Sequence, residues 1–291
     1  MQSVAFIDEN ESLYVEEIAT PIPWWSFTKT ALAIAALRLV DTSRLSLSAP
    51  VDGNRYTLAH LLRHDAGLPD YGGLAEYHDD VTAGKSPWPV ERLLTAVDAD
   101  RLRYEPGQGW AYSNIGYLKV GQLIERASDC SLGDALEQLV FTPAGLTTAR
   151  LATAPDDLQG VQMGAVSGYH PGWVYHGLVV GTTADAARLL RALLTGALLR
   201  PETLHRMLDA RALPAHRSTN YPDPAYGLGL MCWATDPLAH PVGHTGGGPG
   251  SAIAVYSQEG RACAMWSALP STTDPVADVF TRLRIRPNQN R

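Results

Sequence analysis

The sequence has 291 residues, of which 45% are hydrophobic and 18% are charged, a balance typical of a folded globular protein. This composition argues against a disordered chain, and the length suffices for one large domain or two modest ones. The formal net charge is -7 and no cluster of Lys and Arg offsets it. We therefore expect neither nucleic acid nor a membrane surface as a partner.

The N-terminal segment has neither a basic stretch nor a long apolar stretch, so it does not resemble a secretory signal. The longest apolar run, Ala31 to Val40, is interrupted by Arg38 and is shorter than the ~20 residues that a membrane span needs. We therefore expect a cytoplasmic protein. An odd number of widely spaced cysteines argues against a zinc-type pair and a disulfide framework; they are Cys130, Cys232 and Cys263.

The first half of the chain is predicted to begin with strands and to continue with helices. Apolar and polar residues alternate around a polar turn in Ser3–Ile7 and Ser12–Glu17, which predicts a β-hairpin. From Ser26 to Val40 the apolar residues adopt helical spacing. Further short helices are predicted at Thr57–His64, with Thr57 as N-cap, and at Val90–Ala96, Tyr117–Ser128 and Leu132–Val140.

The second half returns to strands. A helix is predicted over Thr182–Leu199, and a closing helix over Asp274–Arg284. Strands are predicted between them at Gly227–Ala234, Ser251–Tyr256 and Ala262–Ala268. Strands at both ends with helices between them indicate an α+β fold in which the two termini build one sheet.

The first motif that can carry chemistry is Ser26-Phe-Thr-Lys29 at the start of a predicted helix. Residues three apart share a helix face, so the Lys29 amine can reach the Ser26 hydroxyl. A neutral amine could take the hydroxyl proton and make Ser26 a nucleophile. The pattern alone is weak, because a helix-capping Ser followed by a surface Lys has the same sequence.

Two further motifs add polar groups. Tyr112-Ser-Asn114 precedes a helix; Tyr112 could act as a base if cations depress its pKa, and Asn114 could orient Lys29 or hold a carbonyl. His244-Thr245-Gly-Gly247 precedes a strand, and its glycines allow close approach of backbone to ligand. A simple helix cap and a simple glycine turn remain the alternatives.

The order and spacing of the three motifs resemble the serine β-lactamase and penicillin-binding protein superfamily. The resemblance is greatest to class C β-lactamases, D-alanyl-D-alanine carboxypeptidases and family VIII esterases. It extends over roughly residues 24–285 and includes Thr57–Tyr71 and Tyr226-Gly-Leu-Gly229. It implies a single β-lactamase-like domain with a mostly antiparallel sheet flanked by helices. The sheet subdomain would comprise about 1–50 and 180–291, and a helical insertion about 51–179.

The resemblance also implies roles for the motif residues. Ser26 would be the nucleophile, Lys29 and Tyr112 would share the general-base role, and Asn114 would orient. The N–H groups of Ser26 and Gly247 would form the oxyanion hole, and the other expected substrate-binding residues are Trp25, His244 and Thr245. No metal or cofactor is implied, and the substrate would be a small acyl compound. The oligomeric state stays open.

Two departures from the pattern bear on the substrate. Trp24 and Trp25 precede Ser26 where small or aliphatic residues are usual, and His244 stands where β-lactamases usually carry Lys. A neutral imidazole is a poor anchor for a carboxylate, so we expect uncharged acyl groups to be preferred over penicillins. The leading interpretation is an esterase-like hydrolase. A β-lactamase or D-amino-acid peptidase is the runner-up, and a non-catalytic binding protein is the remaining alternative.

Several other residues are interpreted as structural. His60 and His64 have metal-ligand spacing but no third ligand, so no metal is expected there. Asp79 and Asp80 are expected in a solvated loop. The aromatic segment around Trp173, Tyr175 and His176 could equally line a pocket or belong to the core.

Overall fold

The computed structural model describes residues 1–17 and 19–284. Within these residues, eight antiparallel strands form the main sheet, in the order β2-β1-β11-β10-β9-β8-β7-β6, and β3, β5 and β4 form a second sheet. The strands are β1 (Gln2–Ile7), β2 (Leu13–Glu17), β3 (Ile22–Pro23), β4 (Arg150–Ala152), β5 (Leu178–Gly181), β6 (Arg211–Ala212), β7 (Pro224–Tyr226), β8 (Met231–Trp233), β9 (Val242–Gly248), β10 (Ser251–Gln258) and β11 (Arg261–Ala268).

Helices precede, interrupt and follow these strands. They are α1 (Thr28–Asp41), α2 (Leu58–Arg63), α3 (Ala75–Thr82), α4 (Val90–Ala96), α5 (Asn114–Ser128), α6 (Leu132–Leu136), α7 (Thr183–Leu194), α8 (Pro201–Leu208) and α9 (Pro275–Arg284). Helix α6 continues into a wider π-type turn, Glu137–Phe141. None of the helices in the described part of the chain has the length and apolarity to cross a lipid bilayer.

The side-chain alternation of the central strands explains why helices cover both faces of the main sheet. In β10, Ile253 and Val255 join the large apolar core, which also contains the buried face of α7. Their neighbours Ala254 and Tyr256 point to the opposite face and pack with α9 in a smaller core. Successive residues of a strand face opposite sides, so a strand that is buried along its whole length requires cover on both.

The predicted fold class is confirmed. The N-terminal hairpin forms, with Ala5 of β1 opposite Val15 of β2. Strand β1 also pairs with β11, placing Val4 opposite Met265, so the two ends of the chain do build one sheet. The proposed division into a sheet subdomain and a helical insertion stays a prediction.

Some local predictions were wrong. The sequence analysis missed the helices α3 and α8, the short strands β3 to β7, and β9, the last because its glycines carry no side chain that would indicate a strand. Asp79 and Asp80 lie in α3, not in a loop. Asp80 is buried and accepts hydrogen bonds from Lys85 Nζ at 2.6 Å and from the Trp88 indole at 2.8 Å, so it anchors the following segment.

Candidate active site

Ser26 lies in a 3-10 helical turn, Trp25–Phe27, that leads directly into α1. The residue before it, Trp25, has a φ of +45°, in the left-handed region that typically costs a side-chain-bearing residue about 1–3 kcal/mol. Two contacts hold Trp25 in this conformation: its indole N–H donates to Ser251 Oγ at 3.0 Å, and its ring packs edge-on against Tyr169. The strained turn leaves the Ser26 side chain half-buried at the wall of a cavity.

Lys29 lies in the first turn of α1, and its amine is next to the Ser26 hydroxyl. Its Nζ is 3.2 Å from Ser26 Oγ and 2.7 Å from Asn114 Oδ1. The side chain is completely buried, and this burial lowers the pKa of Lys29 well below its ordinary value, although the negative charge of Asp70 partly opposes the shift. A buried amine of depressed pKa can be neutral near pH 7 and can therefore accept the proton of Ser26.

Asn114 is held in place by the start of α5. Ser113 caps this helix, and its hydroxyl donates to the Pro69 carbonyl at 2.6 Å. The Asn114 backbone N–H donates to Asp70 Oδ1 at 2.7 Å. Ser113 and Asn114 are therefore both hydrogen-bonded to the segment that follows α2. This positions the Asn114 amide oxygen to accept from Lys29 Nζ, which lies 85 residues earlier in the sequence.

Tyr112 lies beside the same two groups, but as a neutral phenol. Burial raises the pKa of Tyr112 above its ordinary value, and a hydrogen bond with the Ser26 side chain only partly opposes this. Its ring centroid is 4.9 Å from Lys29 Nζ and 4.3 Å from the His64 ring. The base role considered from the sequence required a depressed pKa, so the direction found favours Tyr112 as a proton donor.

Strand β9 approaches Ser26, the predicted nucleophile, through its glycines. A Cβ atom at Gly246 would lie 2.5 Å from the Trp24 carbonyl oxygen and 2.8 Å from the Ser26 nitrogen, so only glycine allows this contact. The next residue, Gly247, is exposed, and a Cβ atom there would meet nothing within 4 Å. Gly247 and Ser26 line the same cavity, where the predicted oxyanion hole would lie.

A directed chain of hydrogen bonds joins the second and third motifs. The Ser113 backbone N–H donates to His64 Nδ1 at 3.1 Å, so a neutral His64 carries its proton on Nε2 and donates to the Tyr226 hydroxyl at 3.2 Å. Tyr226 donates to His244 Nε2 at 2.8 Å. The remaining nitrogen of His244, Nδ1, then donates to the Thr245 carbonyl. Each member therefore has one defined tautomer or rotamer.

These two histidines are held neutral. Burial lowers the pKa of His64 well below its ordinary value, as do the charges of Lys29 and His244. Burial also lowers the pKa of His244 to about 3, and Lys29 adds to the effect while the Thr245 backbone opposes it. Both His244 nitrogens have partners inside the protein, and neither His244 nor Thr245 is among the residues that line the cavity. Their direct contact with substrate stays a prediction.

The cavity beside Ser26 has a volume of about 190 Å³. This is smaller than the ~300–1,000 Å³ typical of pockets for drug-sized ligands. Within the described ranges, 1–17 and 19–284, none of its lining residues is Arg, Lys, Asp or Glu. The lining is rich in aromatic rings and includes the predicted Trp25 and Asn114; the other members are Tyr71, Gly72, Tyr77, His78, Val81, Tyr169, Val174, His176, Gly247, Gly248 and Pro249.

Comparison with known proteins assigns the family. The β-lactamase family model matches residues 17–285. The chain belongs to the β-lactamase family. It is 26% identical to a penicillin-binding protein of Bacillus subtilis (strain 168) over 77% of this chain and 55% of that protein. It is 30% identical to the esterase EstB of Burkholderia gladioli over 44% of this chain and 38% of that protein. The chain thus spans about half or less of the length of these curated relatives.

Solved structures of the β-lactamase family support the same fold. The D-amino acid amidase of Ochrobactrum anthropi SV3 superposes with a TM-score of 0.78 at 22% identity, covering 97% of this chain and 94% of that one. The β-lactamase family consists of serine hydrolases, and the predicted resemblance is confirmed.

The structure places His176, whose role the sequence analysis left undecided, beside Lys29 in this β-lactamase-family site. His176 Nε2 lies 3.1 Å from Lys29 Nζ, and the His176 ring is buried at the cavity wall. The only signal for it was a His within an aromatic segment, and nothing local indicates that this segment folds against α1. No group of three or more His, Cys, Asp and Glu side chains in the described part of the chain is arranged to hold a metal ion.

Proposed function

We propose that this chain is an esterase-like serine hydrolase that forms an acyl-enzyme on Ser26 with small, uncharged acyl groups. The observation that carries the proposal is the completely buried Lys29 amine 3.2 Å from Ser26 Oγ. It lies beside a small cavity with an uncharged lining. The lining itself has no Arg, Lys, Asp or Glu, so a charged substrate group that entered the cavity would lose its contact with water without gaining a direct charged partner there, which costs free energy.

The first half-reaction would proceed as follows. Ser26 Oγ attacks the carbonyl carbon while Lys29 Nζ takes the hydroxyl proton. The oxyanion that forms accepts hydrogen bonds from the N–H groups of Ser26 and Gly247. The bond to the leaving alkoxide then breaks, Tyr112 donates its phenolic proton to that oxygen, and Tyr112 regains a proton from the Lys29 ammonium.

Deacylation would reverse the roles. Water attacks the acyl carbon and loses a proton to the neutral Lys29 amine, and Ser26 Oγ then leaves and regains a proton from the Lys29 ammonium, directly or through Tyr112. The raised pKa of Tyr112 and the lowered pKa of Lys29 support this division, because they leave the amine neutral and able to accept a proton while the phenol keeps the proton that it passes to the alkoxide.

The proposal is tested by labelling and by a substrate panel. Intact mass spectrometry after exposure to a fluorophosphonate should show one adduct, which peptide mapping locates at Ser26, and Ser26→Ala should show none. Turnover by Ser26→Ala should be lower by roughly 10⁴-fold or more. An adduct elsewhere in active protein, or none, contradicts the proposal.

The panel compares p-nitrophenyl butyrate, a chromogenic cephalosporin and D-phenylalanine amide. We expect the ester to exceed the cephalosporin at least about 100-fold in kcat/KM, which corresponds to about 2.7 kcal/mol of transition-state discrimination. Efficient cephalosporin turnover would instead favour the β-lactamase alternative. No turnover of any substrate by labelled protein would favour a binding protein.

A D-amino-acid amidase or peptidase is the second candidate, and Asp70 favours it. This half-exposed carboxylate is close enough to raise the pKa of Lys29, and it could attract the ammonium of a D-amino-acid amide. Asp70→Asn keeps an oxygen to accept the Asn114 N–H but removes the charge. If the amide is the true substrate, Asp70→Asn should reduce amide turnover far more than ester turnover. Equal effects on both would remove this candidate.

A further inference from the structure

His176 contacts the amine that the proposed mechanism uses as its base. Its Nε2 is 3.1 Å from Lys29 Nζ, and both side chains are buried. The proposed reaction involves Ser26, Lys29, Tyr112 and two backbone N–H groups, so this imidazole has no role in it so far. What it does depends on which hydrogen bonds the amine can make.

Lys29 Nζ has three polar neighbours: Asn114 Oδ1 at 2.7 Å, His176 Nε2 at 3.1 Å and Ser26 Oγ at 3.2 Å. A neutral amine offers two N–H donors and one lone pair. The Asn114 oxygen can only accept, so it takes one N–H. The second N–H goes either to His176 or to Ser26, and the lone pair faces whichever of them is left.

The two arrangements differ in reactivity. If His176 Nε2 accepts the second N–H, the Lys29 lone pair faces the Ser26 hydroxyl and can take its proton. If His176 Nε2 instead carries a proton and donates it, the lone pair is occupied, and Ser26 only accepts from the amine. Proton abstraction requires the lone pair to face the hydroxyl within hydrogen-bond reach, so only the first arrangement is productive.

The surroundings of His176 keep its ring neutral, as the productive arrangement requires. That arrangement places the ring proton on Nδ1, which is buried and makes no well-formed hydrogen bond in the described part of the chain, so the contact with Lys29 decides the tautomer. Burial, followed by the charge of Lys29, lowers the pKa of His176 well below its ordinary value, so the ring is neutral and one nitrogen can accept. The charges of His244 and His64 act in the same direction, and a contact with the Trp25 backbone opposes them.

The segment that carries the imidazole is firmly anchored. The Tyr175 hydroxyl donates to the Trp88 carbonyl at 3.0 Å, and the Trp173 indole donates to the Lys85 carbonyl, also at 3.0 Å. Gly177, with a φ of +93°, then turns the chain into β5. The position of the ring is therefore set by packing around it, as a positioning role requires.

We propose that His176 is a positioning residue for Lys29: its Nε2 accepts one amine N–H and so directs the Lys29 lone pair at Ser26. This inference rests on the proposed acylation of Ser26. It also explains how the ammonium formed during acylation is accommodated, because its three N–H groups then meet three acceptors: Asn114, His176 and the Ser26 oxygen.

The test uses His176→Met, which fills similar space without an acceptor, and His176→Gln, whose amide oxygen restores one. His205→Met is the control, since it makes the same substitution at an exposed position of α8 that does not line the cavity. The readout is the second-order rate of fluorophosphonate acylation from pH 5 to 10, followed by intact mass. The titratable groups around the pair are unchanged in the three variants; they are Asp70, Tyr112, Tyr117, His64 and His244.

We expect His176→Met to acylate about 10²-fold more slowly at pH 7.5, because general-base catalysis is typically worth 10²–10⁴-fold and part of it is lost. The acid limb of its profile should also move to lower pH, since the Lys29 ammonium loses an acceptor and the pKa of the amine falls. His176→Gln should stay within about 5-fold of the wild type. His205→Met should keep both the rate and the acid limb.

Two results would overturn the inference. One is a His176→Met protein that acylates within about 3-fold of the wild type with the same acid limb. The other, decisive even if His176→Met does not fold, is a folded His176→Gln protein as slow as Lys29→Ala. If the wild type itself is not labelled at Ser26, the proposed function fails, and that result is distinct from both.

Discussion

The contact between β9 and the turn that carries Ser26 can be tested by adding one methyl group to the strand. In Gly246→Ala, the new Cβ atom would lie 2.5 Å from the Trp24 carbonyl oxygen and 2.8 Å from the Ser26 nitrogen, whereas Cβ atoms essentially never approach closer than 3.0 Å. The strand must therefore retreat from the turn by at least about 0.5 Å. Gly247→Ala is the matched control, because the cavity leaves its Cβ free and its N–H is retained.

The retreat would separate the two N–H groups expected to stabilise the oxyanion. Removing one oxyanion-hole donor costs about 10²–10³-fold in kcat, and a displacement near 1 Å costs about 10²-fold. We therefore expect Gly246→Ala to lower kcat for p-nitrophenyl butyrate by about 10²-fold with a small change in KM, and the free energy of unfolding to fall by about 1–3 kcal/mol. Gly247→Ala should stay within about 5-fold.

Activity is measured well below the midpoint of thermal unfolding, so loss of folded protein cannot account for the difference. If Gly246→Ala retained wild-type kcat, or if Gly247→Ala lost as much, the oxyanion hole would not lie between β9 and the turn. Gly246→Ala should still be labelled by a fluorophosphonate, but slowly. Slow labelling would show that the variant keeps a reactive Ser26 and has lost only part of its stabilisation of the oxyanion.

Three further predictions concern the ionisable groups. Lys29→Ala and Tyr112→Phe should each reduce kcat by at least about 10²-fold, and the double variant should be little worse than either; fully multiplicative losses would show that they act independently. The second prediction concerns three buried histidines that stay neutral in the folded protein but bind protons below pH ~6.5 in the unfolded chain: His64, His176 and His244. The free energy of unfolding should therefore fall as the pH decreases, by up to about 4 kcal/mol per pH unit between pH 6 and 5. Urea unfolding at several pH values checks this: His64→Phe should lose about 1.4 kcal/mol per pH unit of that slope, and an unchanged slope would contradict it. His244→Lys should unfold at a lower urea concentration than the wild type and lose activity. The reason is that a Lys ammonium cannot accept the hydrogen bond from Tyr226 and would lie buried near Lys29. A stable, active variant would contradict the burial of His244.

Local patterns predicted the parts of the fold that depend on nearby residues. The hairpin of β1 and β2, the helix that follows Ser26 and the Thr57 cap of α2 all follow from alternation, periodicity or capping within a few residues. The Ser-x-x-Lys spacing also holds, since α1 brings Lys29 Nζ to 3.2 Å from Ser26 Oγ. Each of these depends on residues that are close in sequence, three or four apart in the helices and within one hairpin in the strands, so the sequence displays the pattern directly.

The features that the sequence concealed depend on contacts between distant segments. His176 reaches Lys29 across 147 residues, and Trp25 adopts its strained φ because Ser251 and Tyr169 hold its ring. The direction of the Tyr112 pKa shift depends on burial, which no motif reveals. Strand β9 was missed for a related reason: its glycines are required by the proximity of another backbone, while strand signals in a sequence come from side chains.

The electrostatics of the site follow from how completely the fold buries it. Lys29, His64, His176 and His244 all have lowered pKa values, and Tyr112 has a raised one, with burial as the largest cause in every case. Each shift favours the neutral form, so five titratable groups surround Ser26 with little net charge. In the proposed mechanism, acylation would create an oxyanion and an ammonium close to each other, and their mutual attraction would offset part of the cost of forming either alone in a medium of low dielectric constant. A substrate that brought its own charge would disturb that pairing, so the proposed preference for uncharged acyl groups has a physical basis that does not depend on direct contact with His244.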